Sequence, residues 1–292
     1  MDEKLTLKEL CSGEHEKELT LKKVQDAIRT LGKLPLTTLT IPKGALIYRA
    51  RSHRSATRFH FPQQVSFNPD LESVRMGRAN APGKPMFYGS YSYAPLVKAL
   101  LTVCMETSKV MRDKKLGFQT FTVGVWEVRR PISIPMLHGK NADFYDPMAA
   151  EIRDDMEKRS TSLTETLREK VAMLNLLLSR EFGKRVASTD PSEKYLVSAA
   201  FADMLYDVGS DGLAYPSVEA NSNGQNVALT PFAVQKWLVP VGAQLVQFHR
   251  KGEEEYQVCQ YAVAYGSGIP WSWTDLHPRY AFNNPFINDD LP

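Results

Sequence analysis

The 292-residue chain is poor in cysteine: only Cys11, Cys104 and Cys259, far apart. An odd, sparse count gives no disulfide framework and no zinc spacing, and it fits a reducing compartment. Long apolar runs are also missing. The best, Leu96 to Met105, falls short of the ~18 residues a membrane span needs and is interrupted by Lys98. Met1 to Leu10 carries charges throughout, unlike the apolar core of a signal peptide. These features lead to the expectation of a soluble, cytoplasmic protein with no membrane partner. Nor does one sign of charge dominate. Thirty-six Lys and Arg against 33 Asp and Glu leave +3, too little to imply a nucleic-acid or membrane partner.

Several motifs are absent as well. There is no GxGxxG after a strand, no phosphate loop ending in GK[ST] and no HExxH. The six histidines (15, 53, 60, 138, 249, 277) show no metal spacing, so no metal is expected. Ser267, in Gly266-Ser267-Gly268, lacks the full GxSxG elbow.

What is present is an ordinary globular composition, 43% apolar. The length suits two average domains or one elaborated domain, with ample chain for a core. Leu19, Leu21, Val24, Ile28 and Leu31 predict a helix over 15–31, closed by Gly32 and Pro35. Short strands are expected at Leu46–Arg49 and Met86–Tyr88, then a helix from about Pro95 to Met111 and a strand over Phe118–Val128. Residues 149–182 contain no Gly or Pro and carry an apolar stripe through Leu163, Leu167, Val171, Leu174 and Leu178, so a long helix is expected there. Asp190, Pro191 and Glu193 read as the start of another helix, ending near Gly209. Further strands are expected at 213–215, 227–230, 244–249 and 256–265. The elements do not alternate regularly, which favours an α+β fold over a doubly wound one.

The stretch from Lys43 to Lys84 is basic. It holds eight Lys or Arg (43, 49, 51, 54, 58, 75, 78, 84) and only Asp70 and Glu72, a local +6. It reads either as a solvated surface loop or as an anion site, for which arginine offers a rigid fork of donors.

Scattered polar residues sit beside turn chemistry in a definite order. They are Tyr48-Arg49, Gly77-Arg78-Ala79-Asn80, Tyr88-Gly89-Ser90, Glu106, Asp211-Gly212-Leu213-Ala214-Tyr215-Pro216-Ser217, and Asn226. In that order they resemble the RES-domain family, named for its Arg, Glu and Ser. The resemblance spans about residues 44–232. Ala79 stands where the family usually has Trp, and the gap from Tyr88 to Glu106 is longer than the family norm.

The resemblance implies an ADP-ribosyltransferase-like fold, with mixed sheets and flanking helices. It implies cleavage of the nicotinamide–ribose bond of NAD, with water or inorganic phosphate as acceptor, and no cofactor beyond NAD as substrate. It also implies a toxin paired with an antitoxin protein. Transfer of ADP-ribose to protein is the near alternative. On this reading Arg78, Glu106 and Ser217 are catalytic, and Tyr48, Arg49, Tyr88 and Asn226 bind NAD. The chemistry accounts for these residue types. Arginine grips the diphosphate. Glu106 stabilises the charge that develops on the ribose. Tyr88 offers a flat face to the nicotinamide ring, or is a half-buried strand aromatic. Ser217 is expected as a hydrogen-bond donor and not as a nucleophile, because no local motif sets a histidine beside it. Against Glu106 stands an exposed polar stripe of Lys98, Thr102, Glu106 and Lys109 at helical spacing.

The expected organisation is a helical extension over 1–42, a catalytic domain over 43–265 with a helical insertion at about 140–190, and an irregular tail over 266–292 packed on the body. The tail or the insertion is expected to cover the cleft or make an oligomer contact. Two readings of other classes remain. One is a nucleic-acid-binding protein using 43–84, where Arg51, Arg54 and Arg58 interleave with His53, Phe59, His60 and Phe61. The other is a non-catalytic partner protein using the stripe of 149–182.

Overall fold

The computed structural model describes residues 5–12, 19–53, 58–92, 96–137, 163–187, 192–220, 224–253, 255–267, 270–276 and 281–283. Arg54, Pro95, Asp190, Pro191 and residues 140–162 of the expected insertion lie outside them.

A nine-stranded sheet forms the frame. Its strands are β2 (Leu46–Ser52), β3 (Phe87–Tyr91), β4 (Gly117–Val128), β6 (Gly212–Pro216), β7 (Gln225–Leu229), β8 (Leu238–Arg250), β9 (Tyr256–Tyr265), β10 (Trp273–Asp275) and β11 (Ala281–Asn283). The order is β10-β9-β8-β4-β2-β3-β7-β6, with β11 also pairing β9. A separate two-stranded sheet joins β1 (Thr38–Ile41) to β5 (Ile132–Pro135). Among the described residues every ladder is antiparallel, and the one parallel pairing is the isolated bridge Met136–Ala214. With seven helices, α1 (Leu7–Ser12), α2 (Leu21–Arg29), α3 (Leu96–Thr107), α4 (Lys109–Arg112), α5 (Glu165–Phe182), α6 (Leu196–Asp207) and α7 (Pro231–Trp237), the described residues form an α+β fold.

Period-two alternation sorts the sheet's side chains into two cores. On one face Tyr48, Ala50, Phe121, Val123, Val246 and Phe248 pack against α3, whose Ala99 to Met105 are buried throughout. Farther along that face, Leu213, Tyr215 and Ala228 meet α1, α2, α5 and α6. The opposite face, with Ile47, Phe87 and Trp126, packs on α7 and the small sheet through Leu39, Ile41, Ile132 and Ile134. Each large side chain so buried contributes about 1.5–3 kcal/mol.

Some boundaries differ from expectation. The first long helix starts at Leu21 because the Thr20 side chain accepts the Lys23 N–H and caps it. Residues 1–42 are not helical alone. Thr38–Ile41 alternates exposed and buried residues and is a strand that buries Leu39 and Ile41. The tail is not wholly irregular either. β10 and β11 both pair with β9, satisfying backbone groups along it. The helix after β3 ends at Thr107, where buried Ser108 caps the short α4 by accepting from Met111 N. In α5 the buried side runs through Leu174, Leu177, Leu178 and Phe182, so the stripe packs on the body. No described helix is long and apolar enough to cross a membrane.

Candidate active site

Tyr48, Ser90, Asn226 and Tyr215 are register partners across β2, β3, β7 and β6, so they share the helix-covered face, and Tyr88 joins them two residues before Ser90. A cleft of about 190 Å³ opens over this floor, between the C-terminal turn of α3 and the chain linking α5 to α6. Tyr88, Tyr215 and Asn226 line its base, and Val103 and Glu106 line one wall. Arg78, Arg112, Val186 and Tyr195 close the other sides, and Glu219 reaches in from the loop after β6.

Glu106 is held by that loop. Its Oε1 accepts from the Ser217 hydroxyl at 2.5 Å and from the Glu219 backbone N–H at 3.3 Å. Ser217 is fully buried, its oxygen accepts from Ala220 N at 3.1 Å, and its own N–H donates to the Gly224 carbonyl at 2.8 Å. The loop lies against α3 because residue 224 is glycine. A Cβ there would come within 2.2 Å of Thr102 Oγ1. Thr102 is itself buried and bonded to the Lys98 carbonyl, so Lys98, Thr102, Glu106 and Lys109 do not form an exposed stripe. Ser217 therefore orients the carboxylate and does not line the cleft.

The loop bearing Arg78 is fastened to the sheet through Tyr88. The Tyr88 hydroxyl donates to Asn80 Oδ1 at 2.6 Å and accepts from Ala79 N at 3.0 Å. Asn80 Nδ2 in turn donates to the Arg75 and Ala81 carbonyls. Gly77 allows this close approach, since a Cβ there would lie 2.9 Å from the Tyr88 oxygen. Burial holds the Tyr88 phenol far above its usual range. Tyr88 thus lines the cleft with its hydroxyl satisfied. Ala79, where the family has Trp, is fully buried beneath Tyr206, whose hydroxyl donates to the Ala79 carbonyl. Arg78 faces the cleft, donates Nη1 to the Phe182 carbonyl at 2.5 Å and lies 5.1 Å from the Tyr195 ring centre.

The remaining residues divide. Asn226 lines the cleft at 4% exposure; its Oδ1 accepts from Ser90, and its Nδ2 has no partner. Arg49 does not line the cleft. Its Nη1 donates to the Tyr88 carbonyl at 2.8 Å, and its guanidinium lies 5.0 Å from the Phe87 ring centre. Burial, reinforced by Arg51, pushes it down to about 10. Tyr48 is buried in the core beneath α3. Neither residue expected from β2 to bind substrate lines the cleft: the strand's alternation keeps Tyr48 on the cleft's face but under α3, and turns Arg49 to the other side of the sheet at the β2–β3 join.

Glu219, Arg112, Tyr195 and Tyr215 had no assigned role in the sequence. Glu219 follows Ser217 by two residues, a signal that the motif's end at Ser217 concealed. Arg112 was hidden by reading one helix through Met111, since only the break at Ser108 turns it inward. Glu219 is buried at 6% exposure, and burial, then the charge of Glu106, raises its carboxyl, while Arg185, Arg78 and Arg112 oppose that rise.

The basic stretch is largely partnered. Arg51 donates to the Gln64 carbonyl, Arg58 pairs with Asp275, Lys84 pairs with Asp203, and His53 bonds Thr122 and stacks on Phe59. With Arg49 and Arg78, most of its described cations already hold partners, unlike a free row for phosphates. Among the described residues no cluster of His, Cys, Asp or Glu forms a metal site.

These features define a class: an α+β protein whose cleft presents a positioned carboxylate among arginines and aromatic rings. The family model of the RES domain matches residues 144–250, and the family resemblance read from the sequence holds. Ser217 and Asn226 lie inside the match, while Arg49, Arg78, Tyr88 and Glu106 precede it. The match also takes in most of the segment expected as an insertion. At family level, RES domains are generally enzymatic and go with NAD, toxin-like function and antitoxin partners. No curated protein matches the chain.

Proposed function

We propose that the protein is an NAD-degrading enzyme that cleaves the nicotinamide–ribose bond, with water or phosphate as acceptor. The observation that carries this is the Glu106 carboxylate, fixed by Ser217 and the Glu219 N–H at the wall of a cleft lined by arginine and aromatic rings. Breaking the N-glycosidic bond builds positive charge on the ribose, and a carboxylate already oriented stabilises that charge where it develops. Arg78 and Arg112 supply guanidinium groups for the diphosphate. The Tyr88 and Tyr195 rings offer faces for nicotinamide. The unpaired Asn226 Nδ2 is a donor for its amide oxygen or for a ribose hydroxyl. NAD serves as substrate, and the residues call for no further cofactor. In the cell the same activity makes the protein the toxin of a toxin–antitoxin or defence system.

The test is incubation of purified protein with NAD, with and without inorganic phosphate, followed by chromatography. Free nicotinamide with ADP-ribose or its phosphate ester is the expected result. A labelled ADP-ribosyl group retained on protein would assign a protein acceptor instead. Intact NAD in both tubes overturns the reading. In cells, Glu106→Gln is expected to relieve growth arrest, and a toxic variant would remove Glu106 from the mechanism.

A further inference from the structure

NAD cleavage has an asymmetry that bears on the second carboxylate in the cleft. Nicotinamide leaves as a neutral base, since the electron pair of the broken C1′–N bond quenches the pyridinium charge. Unlike an alcohol leaving from an ordinary glycoside, it needs no general acid. A site for this reaction therefore requires one carboxylate for the ribose charge and has no use for a proton donor. Yet two are present. Glu219 lines the same cleft at 6% exposure, and its own backbone N–H holds Glu106. Unlike Glu106, whose oxygen is bonded to Ser217, the Glu219 carboxylate makes no hydrogen bond among the described residues. The unpaired, 96%-buried amide donor of Asn226 lines the same space and independently marks it as a ligand site.

Resting on the NAD reading, we infer that Glu219 is the general base that activates the acceptor, and that the preferred acceptor is water. In the step, the water oxygen bonds to ribose C1′ as the C1′–N bond breaks. The bonding pair leaves with nicotinamide, and one water proton passes to the Glu219 carboxylate, which later releases it to solvent. ADP-ribose, nicotinamide and one proton result. Water must lose a proton as it attacks, whereas a phosphate dianion attacks without a base, so a free carboxylate beside the cleft serves water. The groups facing Glu219 are Glu106 from α3, Arg112 from α4, Arg78 from the loop before β3, Arg185 from the chain after α5, and Tyr195. Burial and the neighbouring Glu106 raise its carboxyl, which improves a carboxylate as a base at neutral pH provided it remains ionised.

The experiment is steady-state nicotinamide release by wild type, Glu219→Gln and Glu219→Ala, across pH and with azide or formate added. Glu219→Gln is expected to lower kcat for hydrolysis about 100-fold, with KM for NAD nearly unchanged. The acidic limb of the wild-type kcat profile, where Glu219 takes up a proton, is expected to vanish. Azide attacks without losing a proton, so it is expected to restore NAD cleavage by Glu219→Ala as ADP-ribosyl azide. Formate is expected to restore part of the hydrolysis. Wild-type hydrolysis by Glu219→Gln overturns the assignment. So does a Glu219→Ala protein that binds NAD but responds to neither azide nor formate. Phosphorolysis outpacing hydrolysis in the wild type overturns water as the preferred acceptor. Failure of the wild type to release nicotinamide is a different result, which overturns the NAD reading itself.

Discussion

Arg49 lies on β2 with its guanidinium against the Phe87 ring and its Nη1 committed to the Tyr88 carbonyl, behind the cleft floor. Arg78 lies on a loop, bonds the Phe182 carbonyl, and still faces the cleft. The two arginines have the same chemistry and were equal candidates for a diphosphate. Their settings assign them different work. Arg49 stands where β2 and β3 separate after the Tyr48–Ser90 pair, and it supplies a donor to a carbonyl at that join. Arg78 borrows its rigidity from elsewhere, through Tyr88 below it and the end of α5 beside it. A side chain anchored by its own pairing is spent, whereas one carried by an anchored loop is available.

The same contrast holds between Ser217 and Glu106. The serine is sealed at 0% exposure with its hydroxyl on the carboxylate, and the carboxylate faces the cleft. The largest expected effect follows. Glu106→Gln should lower nicotinamide release about 10²–10³-fold, because charge stabilisation at the ribose is lost while shape is kept. An active Glu106→Gln enzyme would break the comparison by placing the chemistry elsewhere. Ser217→Ala should cost less, about 10–100-fold in kcat, the value of one hydrogen bond to a charged group. Equal losses in both variants would mean that Ser217 also touches substrate.

Next come the two arginines. Arg78→Ala is expected to raise KM for NAD about tenfold, as one guanidinium contact to a charged group is lost. Arg49→Ala is expected instead to lower stability by about 2 kcal/mol in urea unfolding, with KM held, because it strands the Tyr88 carbonyl and uncovers the Phe87 ring. A KM effect at Arg49 would erase the distinction. Smaller again, Tyr88→Phe should cost about 1 kcal/mol by freeing the loop before β3. The smallest effect concerns pH. The raised Glu219 carboxyl means that, between its ordinary and its folded titration points, the folded protein keeps a proton the unfolded chain has released. Stability contributed by this group therefore falls as pH rises through that window. Glu219→Gln should show a slightly higher Tm than wild type at pH 7 and no advantage near pH 4. An unchanged difference across pH would assign the effect to packing.

Much of this arrangement was legible beforehand. Glu106, Ser217, Arg78, Tyr88 and Asn226 were all singled out in the chain, and the structure brings them to one cleft or its immediate support. Tyr48 and Arg49 were singled out on the same grounds and lie outside it, Tyr48 beneath α3 and Arg49 on the other side of the sheet. What misled there was tertiary placement: the motif names the strand, but only pairing with β3 and β4 shows which side Arg49 faces, and only the docking of α3 covers Tyr48. Glu219 and Arg112 were missed because a loop's fold and a helix's break, both tertiary outcomes, aim them.

By itself, then, the sequence determined the α+β class, the main helices and strands, the absence of a long apolar span, and an order of motifs that resembles the RES-domain family. The class, the elements and the missing span depend on periodicity, capping and composition, which are local along the chain. Only the tertiary structure decided that Ser217 serves Glu106 across 111 positions of sequence, that most described cations of the basic stretch hold partners, and that a second carboxylate shares the cleft. Those depend on which buried groups find partners across the fold, a matter of three-dimensional satisfaction that no local pattern encodes.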